Sequence, residues 1–220
     1  DAVQSFTMLF LEMWAVNQIE PADCQNYLTP KRVVPDPPHG YVIPYGDHPY
    51  DNENVGEEVY FHILNHSKKY VHIMTPYLIL DSEMITTLTR AAKSGIEVII
   101  IMPHIPDKWY AFVLAHTYYK ELIQAGVSIY EYTPGFVHAK VFVADDDTAT
   151  VGTINLDYRS LYLHFECGAY IYDHPVVVDI ERDFQETLKK CQKISLTEVE
   201  NRPVTHKVMG QILRLIAPLM

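Results

Sequence analysis

The sequence predicts an α/β fold in which a mixed β-sheet is layered between α-helices. Three observations carry that prediction. From about residue 55 onward, segments with helical periodicity alternate with short β-rich runs, the pattern of a sheet covered by helices. Residues 98–102, Val-Ile-Ile-Ile-Met, form a continuous apolar run of the kind buried on both faces of a sheet. Across 220 residues, 48% hydrophobic and 20% charged side chains allow a sizeable core and exclude a disordered or collagen-like chain.

Residues 2–16 place Phe6, Leu9, Phe10, Met13 and Trp14 on one helical face. Pro21, Pro30, Pro35, Pro37, Pro38 and Pro44 then forbid a long helix and read as a surface connector, followed by an acidic patch at Asp47, Asp51, Asn52 and Glu53. Residues 57–68 read as a helix, and 70–75 as a strand that Pro76 stops. Asp81 or Ser82 caps a helix through Lys93, which Gly95 ends. A helix over 109–124 closes at Gly126, and 127–132 is a strand. Short strands follow at 137–144, 148–152 and 166–172, then a helix over 176–190. In residues 203–220, Val208, Ile212, Leu215, Ile216 and Leu219 recur at helical spacing, as expected of a helix docked on the core or lying on a membrane surface. The chain divides accordingly into residues 1–40, a helix and proline-rich connector; 41–202, the main domain; and 203–220, an amphipathic C-terminal helix.

A net charge of -11 has the wrong sign for a protein that grips nucleic acid through its phosphates. The longest aliphatic run is about five residues, far short of the roughly 20 of a membrane helix. Cys24, Cys167 and Cys191 are odd in number and lack C-x-x-C spacing, which reads as free thiols and not as a disulfide framework or a thiolate zinc site. Opening at Asp1 and not at Met, the chain reads as a cut piece or a processed product.

One constellation carries chemistry. His138-Ala139-Lys140 is followed after four residues by Asp145, and six residues later by Gly152-Thr153-Ile154-Asn155. On a strand His138 and Lys140 share one face, while Val137, Ala139, Val141 and Val143 form an apolar face that packs on the core. An imidazole beside an ammonium suits chemistry on a phosphate: the lysine offsets the negative charge and the neutral ring attacks phosphorus. Asn155 adds a neutral donor, and Glu166 is a candidate for orienting the ring. About five fixed positions at background frequency arise by chance on the order of once in 10⁵ chains. His66-Ser67-Lys68 repeats the H-x-K spacing but has Ile73 in place of the aspartate and no following G-[ST]-x-N, so it is set aside. His62 and His66 have a metal-compatible i, i+4 spacing, yet eleven histidines make such a pair expected by accident.

The pattern H-x-K-x4-D-x6-G-[ST]-x-N resembles the HKD motif of the phospholipase D superfamily. Thr75-Pro76-Tyr77, residues 126–132, 135–140 and 151–160, Phe165-Glu166 and residues 214–219 narrow the resemblance to the bacterial cardiolipin synthases, from about residue 40 to the end. The resemblance implies a phospholipase D-like domain that transfers a phosphatidyl group between two phosphatidylglycerol molecules, giving cardiolipin and glycerol through a phosphatidyl-histidine. It implies His138 as nucleophile or acid/base partner, Lys140 and Asn155 as phosphate ligands, and Glu166 hydrogen-bonded to His138. Asp145 belongs to the same catalytic motif as a structural or charge-tuning member. Thr153, Asp157 and Arg159 are the expected substrate-binding residues, and His164 stands where close relatives tend to have Asn. No metal or other cofactor is implied.

Members of this family carry two such motifs, each supplying one histidine to a shared site, and this chain has one. It is therefore expected to be the C-terminal half of such an enzyme. Its expected partners are the half with the first motif or a second copy of itself, phosphatidylglycerol, and a membrane surface, with no nucleic acid. The whole enzyme is expected at the cytoplasmic face of a bacterial membrane, this piece having no membrane span. The alternatives are a phosphodiesterase or nuclease completed by homodimerisation, and a half-domain with no activity of its own.

Overall fold

The strands in chain order are β1 (Tyr41–Asp47), β2 (Tyr70–Met74), β3 (Glu97–Pro103), β4 (Ser128–Tyr132), β5 (Val141–Ala144), β6 (Thr148–Gly152), β7 (Glu166–Tyr172) and β8 (Cys191–Lys193). They form one mixed sheet in the order β1-β7-β6-β5-β2-β3-β4-β8. The pairs β2/β3 and β3/β4 are parallel and the others antiparallel. The helices are α1 (Ala2–Ala15), α2 (Val55–His66), α3 (Ser82–Lys93), α4 (Trp109–Ala125), α5 (Tyr158–Tyr162), α6 (Val176–Leu188), α7 (Leu196–Glu200) and α8 (Val204–Leu215). These elements belong to a computed structural model that describes residues 2–16, 24–28 and 39–219. The prolines from Pro21 to Pro38 lie outside the described residues.

Strand alternation sends one set of side chains to each face. Ile73, Ile100, Ile129 and Phe142 point to a large core shared with α2, α3 and α4. Met74, Ile99, Ile101, Val141 and Val143 point the other way, onto Val177 and Phe184 of α6. The apolar run at 98–102 is thus buried on both faces, and the layered α/β architecture is the one the sequence predicts.

Local signals set the element ends. The Asp81 carboxylate accepts the Met84 N–H at 2.7 Å and caps α3. Gly126, at φ +106°, closes α4 in the left-handed conformation. The C-terminal helix docks on α4 through Gly210 and Leu213; a Cβ on Gly210 would lie 2.5 Å from Thr117 Cγ2.

Several expectations are corrected. Pro44 is not in a connector but in β1, where an edge position lets a residue without an N–H pair with Ala169. The strand expected over 137–144 is laddered only from Val141. Its neighbour β2 pairs no further than Met74 with Val141, and Pro76 follows two residues later. In α1, a helix as the periodicity predicts, the buried residue is Leu11, while Phe6, Phe10 and Trp14 of the apolar face are exposed. No helix among the described residues is long and apolar enough to cross a membrane.

Candidate active site

Antiparallel pairing brings the start of β5 and β7, the end of β6 and the end of β2 to one end of the sheet. Lys140, Thr153, Glu166 and Thr75 therefore meet there from four different strands. This end is also the C-terminal end of parallel β2 and β3, where open α/β sheets place their ligands. Gly152 lets β6 and β7 close up: a Cβ there would lie 2.4 Å from the Cys167 carbonyl oxygen. The turn after Gly152 is pinned from both sides. Tyr60 donates its hydroxyl to the Ile154 carbonyl at 2.6 Å, and the Ile79 N–H donates to Leu156 O at 2.8 Å.

His138 and Lys140 lie in the extended segment leading into β5, with Val137 and Ala139 packed on the α6 side. The expected alternation is kept although no ladder bonds enforce it. His138 is exposed, and among the described residues neither of its ring nitrogens has a hydrogen-bond partner. Its ring lies 5.7 Å from that of Phe136. Lys140 is 9% exposed, and its Nζ donates to the His138 carbonyl at 2.7 Å. That leaves two of its three N–H groups for another acceptor. Burial pulls the Lys140 ammonium below its usual range, and the Glu166 and Asp157 carboxylates oppose that pull.

Glu166 does not make the hydrogen bond to His138 that the sequence led us to expect. It accepts instead from the Thr153 hydroxyl and pairs with His164 Nδ1 at 3.3 Å. Thr153 is held further by the Cys167 N–H, which donates to its Oγ1 at 3.0 Å. Asn155 Nδ2 donates to Ser160 Oγ at 2.9 Å, while its buried Oδ1 has no partner. Asp157 is buried and caps α5 by accepting the Ser160 N–H at 2.7 Å. Arg159 is exposed on α5, on the wall of a groove it shares with Asp157.

Asp145 is the motif residue that stands apart. It sits at the other end of β5, about 16 Å of strand from Lys140 at roughly 3.3 Å per residue. There its carboxylate accepts the N–H groups of Lys68, Lys69 and Tyr70 at 2.6, 2.9 and 3.0 Å. It ties the start of β2 to the β5–β6 turn and touches no other motif residue. The pair His62 and His66 is at that end too. Their rings stack at 4.1 Å, and the described residues contain no metal-binding cluster of three or more His, Cys, Asp or Glu.

The structure adds two residues that the motif did not reveal. His164, marked in the sequence only as standing where close relatives tend to have Asn, is the second partner of Glu166, two residues away along the chain. Tyr77, whose hydroxyl donates to Asp107 at 2.5 Å, places its ring 6.4 Å from Phe136. Nothing in its own sequence surroundings links it to residue 136.

The family described as "Cardiolipin synthase, PLD-like domain" matches residues 60–188, more than half of the chain. An uncharacterized protein of Streptococcus mutans is 52% identical over the whole chain, which covers 47% of that protein. A cardiolipin synthase of Geobacillus kaustophilus is 33% identical over the whole chain, which covers 44% of it. The chain thus spans about half the length of the curated relatives it matches. Among solved structures, phosphatidylserine synthase of Haemophilus influenzae superposes with a TM-score of 0.67 at 18% identity, over 87% of this chain and 50% of that one. The phospholipase D family member Nuc of Salmonella typhimurium superposes with a TM-score of 0.60 at 16% identity, over 71% of this chain and 99% of that one. These two likenesses are of fold.

Proposed function

The chain belongs to the family described as cardiolipin synthase, PLD-like domain, and on that premise we propose that it supplies one half of a phosphatidyl-transfer site. The observation that carries this reading is the exposed imidazole of His138 beside the buried ammonium of Lys140, at the sheet end where Thr153, Asn155 and Glu166 also converge. A free ring nitrogen next to a fixed cation is the arrangement a phosphodiester needs. The cation holds the non-bridging oxygens and the ring reaches phosphorus.

In the first step a histidine nitrogen attacks the phosphorus of phosphatidylglycerol. The P–N bond forms as the P–O bond to glycerol breaks, and the histidine of the other half gives the leaving oxygen its proton. In the second step the hydroxyl of another phosphatidylglycerol attacks the phosphatidyl-histidine. Its proton passes to the second histidine, the P–N bond breaks, and cardiolipin leaves. His138 fills one of these two roles. Lys140 and the free N–H of Asn155 hold the phosphate oxygens through both steps, while Glu166 fixes Thr153 and His164 at the rim.

Several features favour a half-site. The chain spans 44% of a cardiolipin synthase and 50% of a phosphatidylserine synthase of the same fold. The exposed side of α1, with Phe6, Phe10 and Trp14, is an apolar face available to the other half. The test is cardiolipin formation from phosphatidylglycerol micelles with a chelator present, by this chain and by His138→Ala. Product from the parent alone fits a site completed by two copies. Equal product from both contradicts the role of His138.

A further inference from the structure

The two faces of α8 have different surroundings. Gly210 and Leu213 turn inward against α4. The outer side, continued by the turn Ala217–Leu219, carries Val204, Val208, Ile212, Leu215 and Leu219, with Leu215 at 84% and Leu219 at 80% exposure. Steps of three or four residues put all five on one stripe. By itself such a stripe would only be an uncovered face. Its C-terminal end, however, runs into a groove of about 470 Å³ whose walls include Tyr77, Trp109, Asp157, Arg159, Ile216 and Leu219.

The groove adjoins the candidate active site along two routes. Tyr77 in its wall is one ring away from Phe136, and Phe136 is next to His138. Asp157 in the same wall acts on the charge of Lys140. At the rim, the Trp109 indole is 61% exposed, Lys108 Nζ lies 5.5 Å from the Tyr77 ring centroid, and Arg159 is exposed. Apolar walls with an indole and cations at the rim match the boundary between acyl chains and anionic headgroups. A second copy packed on this face about a two-fold axis would set the same rim cations, Lys108 and Arg159, against one another.

We propose that the α8 stripe and this groove are the surface on which the chain meets a lipid layer containing anionic phospholipid, with one acyl chain of the substrate lying in the groove and its phosphodiester turned towards His138 and Lys140. This deepens, and rests on, the phosphatidyl-transfer reading. The position of the groove then accounts for why the reactive end of the sheet is exposed on that side.

The test separates binding from turnover. The chain has two tryptophans, so Trp14→Phe leaves Trp109 as the single reporter. Titrated with phosphatidylglycerol/phosphatidylcholine vesicles, Trp109 emission shifts to the blue, and brominated acyl chains in the same vesicles quench it. Leu215→Asp with Leu219→Asp lowers the vesicle-bound fraction about tenfold or more and leaves the thermal melt unchanged, because both side chains already face solvent. His138→Ala binds as the parent does. Vesicle binding without phosphatidyl transfer, even when the half that carries the other H-x-K motif is added, overturns the catalytic reading and leaves this surface standing. Three results overturn the surface: transfer without bromine quenching, equal vesicle binding by parent and double variant, or a lipid-free dimer that the double variant abolishes. The last would assign the stripe to a second copy.

Discussion

Two places in this chain join imidazole, carboxylate and cation, and they have opposite characters. Around Glu131 the carboxylate is enclosed and answered from several sides, although His104 reaches the surface and Arg202 Nη1 is buried without a partner among the described residues. Glu131 is 2% exposed, and its carboxylate takes His104 Nδ1 at 2.8 Å, His116 Nε2 at 3.3 Å and the Tyr119 hydroxyl at 3.2 Å, with Arg202 at 3.8 Å. Burial pulls the Glu131 carboxyl up, but hydrogen bonds from His116 and His104 and the Arg202 charge outweigh it and hold it below the usual range. At the other place His138 is exposed with both ring nitrogens unengaged among the described residues, and Lys140 keeps donors to spare. Polar groups that satisfy each other bind α4, β4 and the α7–α8 turn together. Polar groups left open to an outside acceptor are the ones equipped to react.

Substitutions sharpen this contrast. Glu131→Ala strips the half-buried Arg202, the buried His116 and the exposed His104 of their shared partner, so unfolding free energy drops by about 3 kcal/mol. Activity per folded molecule stays the same, as denaturant melts set beside transfer assays would read. Lys140→Ala gives the inverse profile: transfer falls about 10²–10³-fold, as for loss of one donor to a developing oxyanion, with a much smaller change in the melt.

The pH dependence of stability tests the enclosed region further. His116 is pushed down to about 4 by burial, against the pull of Glu131. The unfolded chain takes that proton near 6.5 and the folded chain only near 4, so this contribution is full above about pH 6.5 and lost as pH falls towards 4. Glu57 has the opposite sign. Burial pushes it up to about 7, so its contribution is full below its ordinary 4.5 and lost as pH rises through 7. Each slope reaches about 1.4 kcal/mol per pH unit, and the two oppose one another between pH 4.5 and 6.5. Glu57→Gln removes one of them. Its stability should climb with pH across that window more steeply than the parent's, and parallel curves would contradict the assignment. The smallest effect is expected at the open site's edge. His164→Asn removes one partner of Glu166 but leaves the Thr153 hydroxyl in place, and transfer should change by no more than about tenfold, since one exposed hydrogen bond is worth roughly 0.5–1.5 kcal/mol.

Much of this was legible in the sequence because its causes are local. Asp81 capping α3, Gly126 ending α4 and the doubly buried run at 98–102 each depend on neighbours a few residues away. The set His138, Lys140, Thr153, Asn155 and Glu166 was legible as a motif, and strand pairing explains why its members meet. What was hidden depends on distant partners. β1 is a strand only because β7, more than a hundred residues later, pairs with it in spite of Pro44. Glu166 was expected to hydrogen-bond His138, and the register of β6 against β7 gives it the Thr153 hydroxyl instead, with His164 beside it along the chain. Asp145, read as a structural or charge-tuning member of the motif, ties backbone together but stands apart from the other members for the reverse reason. Its motif spacing counts residues along a strand, and a strand carries its two ends apart.

The central claim is that His138 is one of two histidines that share a phosphatidyl-transfer site. The most direct measurement mixes this chain with the half that carries the other H-x-K motif and follows cardiolipin from phosphatidylglycerol, with the parent chain and with His138→Ala. The account predicts cardiolipin from the mixture with the parent and none above background with His138→Ala. Cardiolipin at the parental rate from the variant would contradict it.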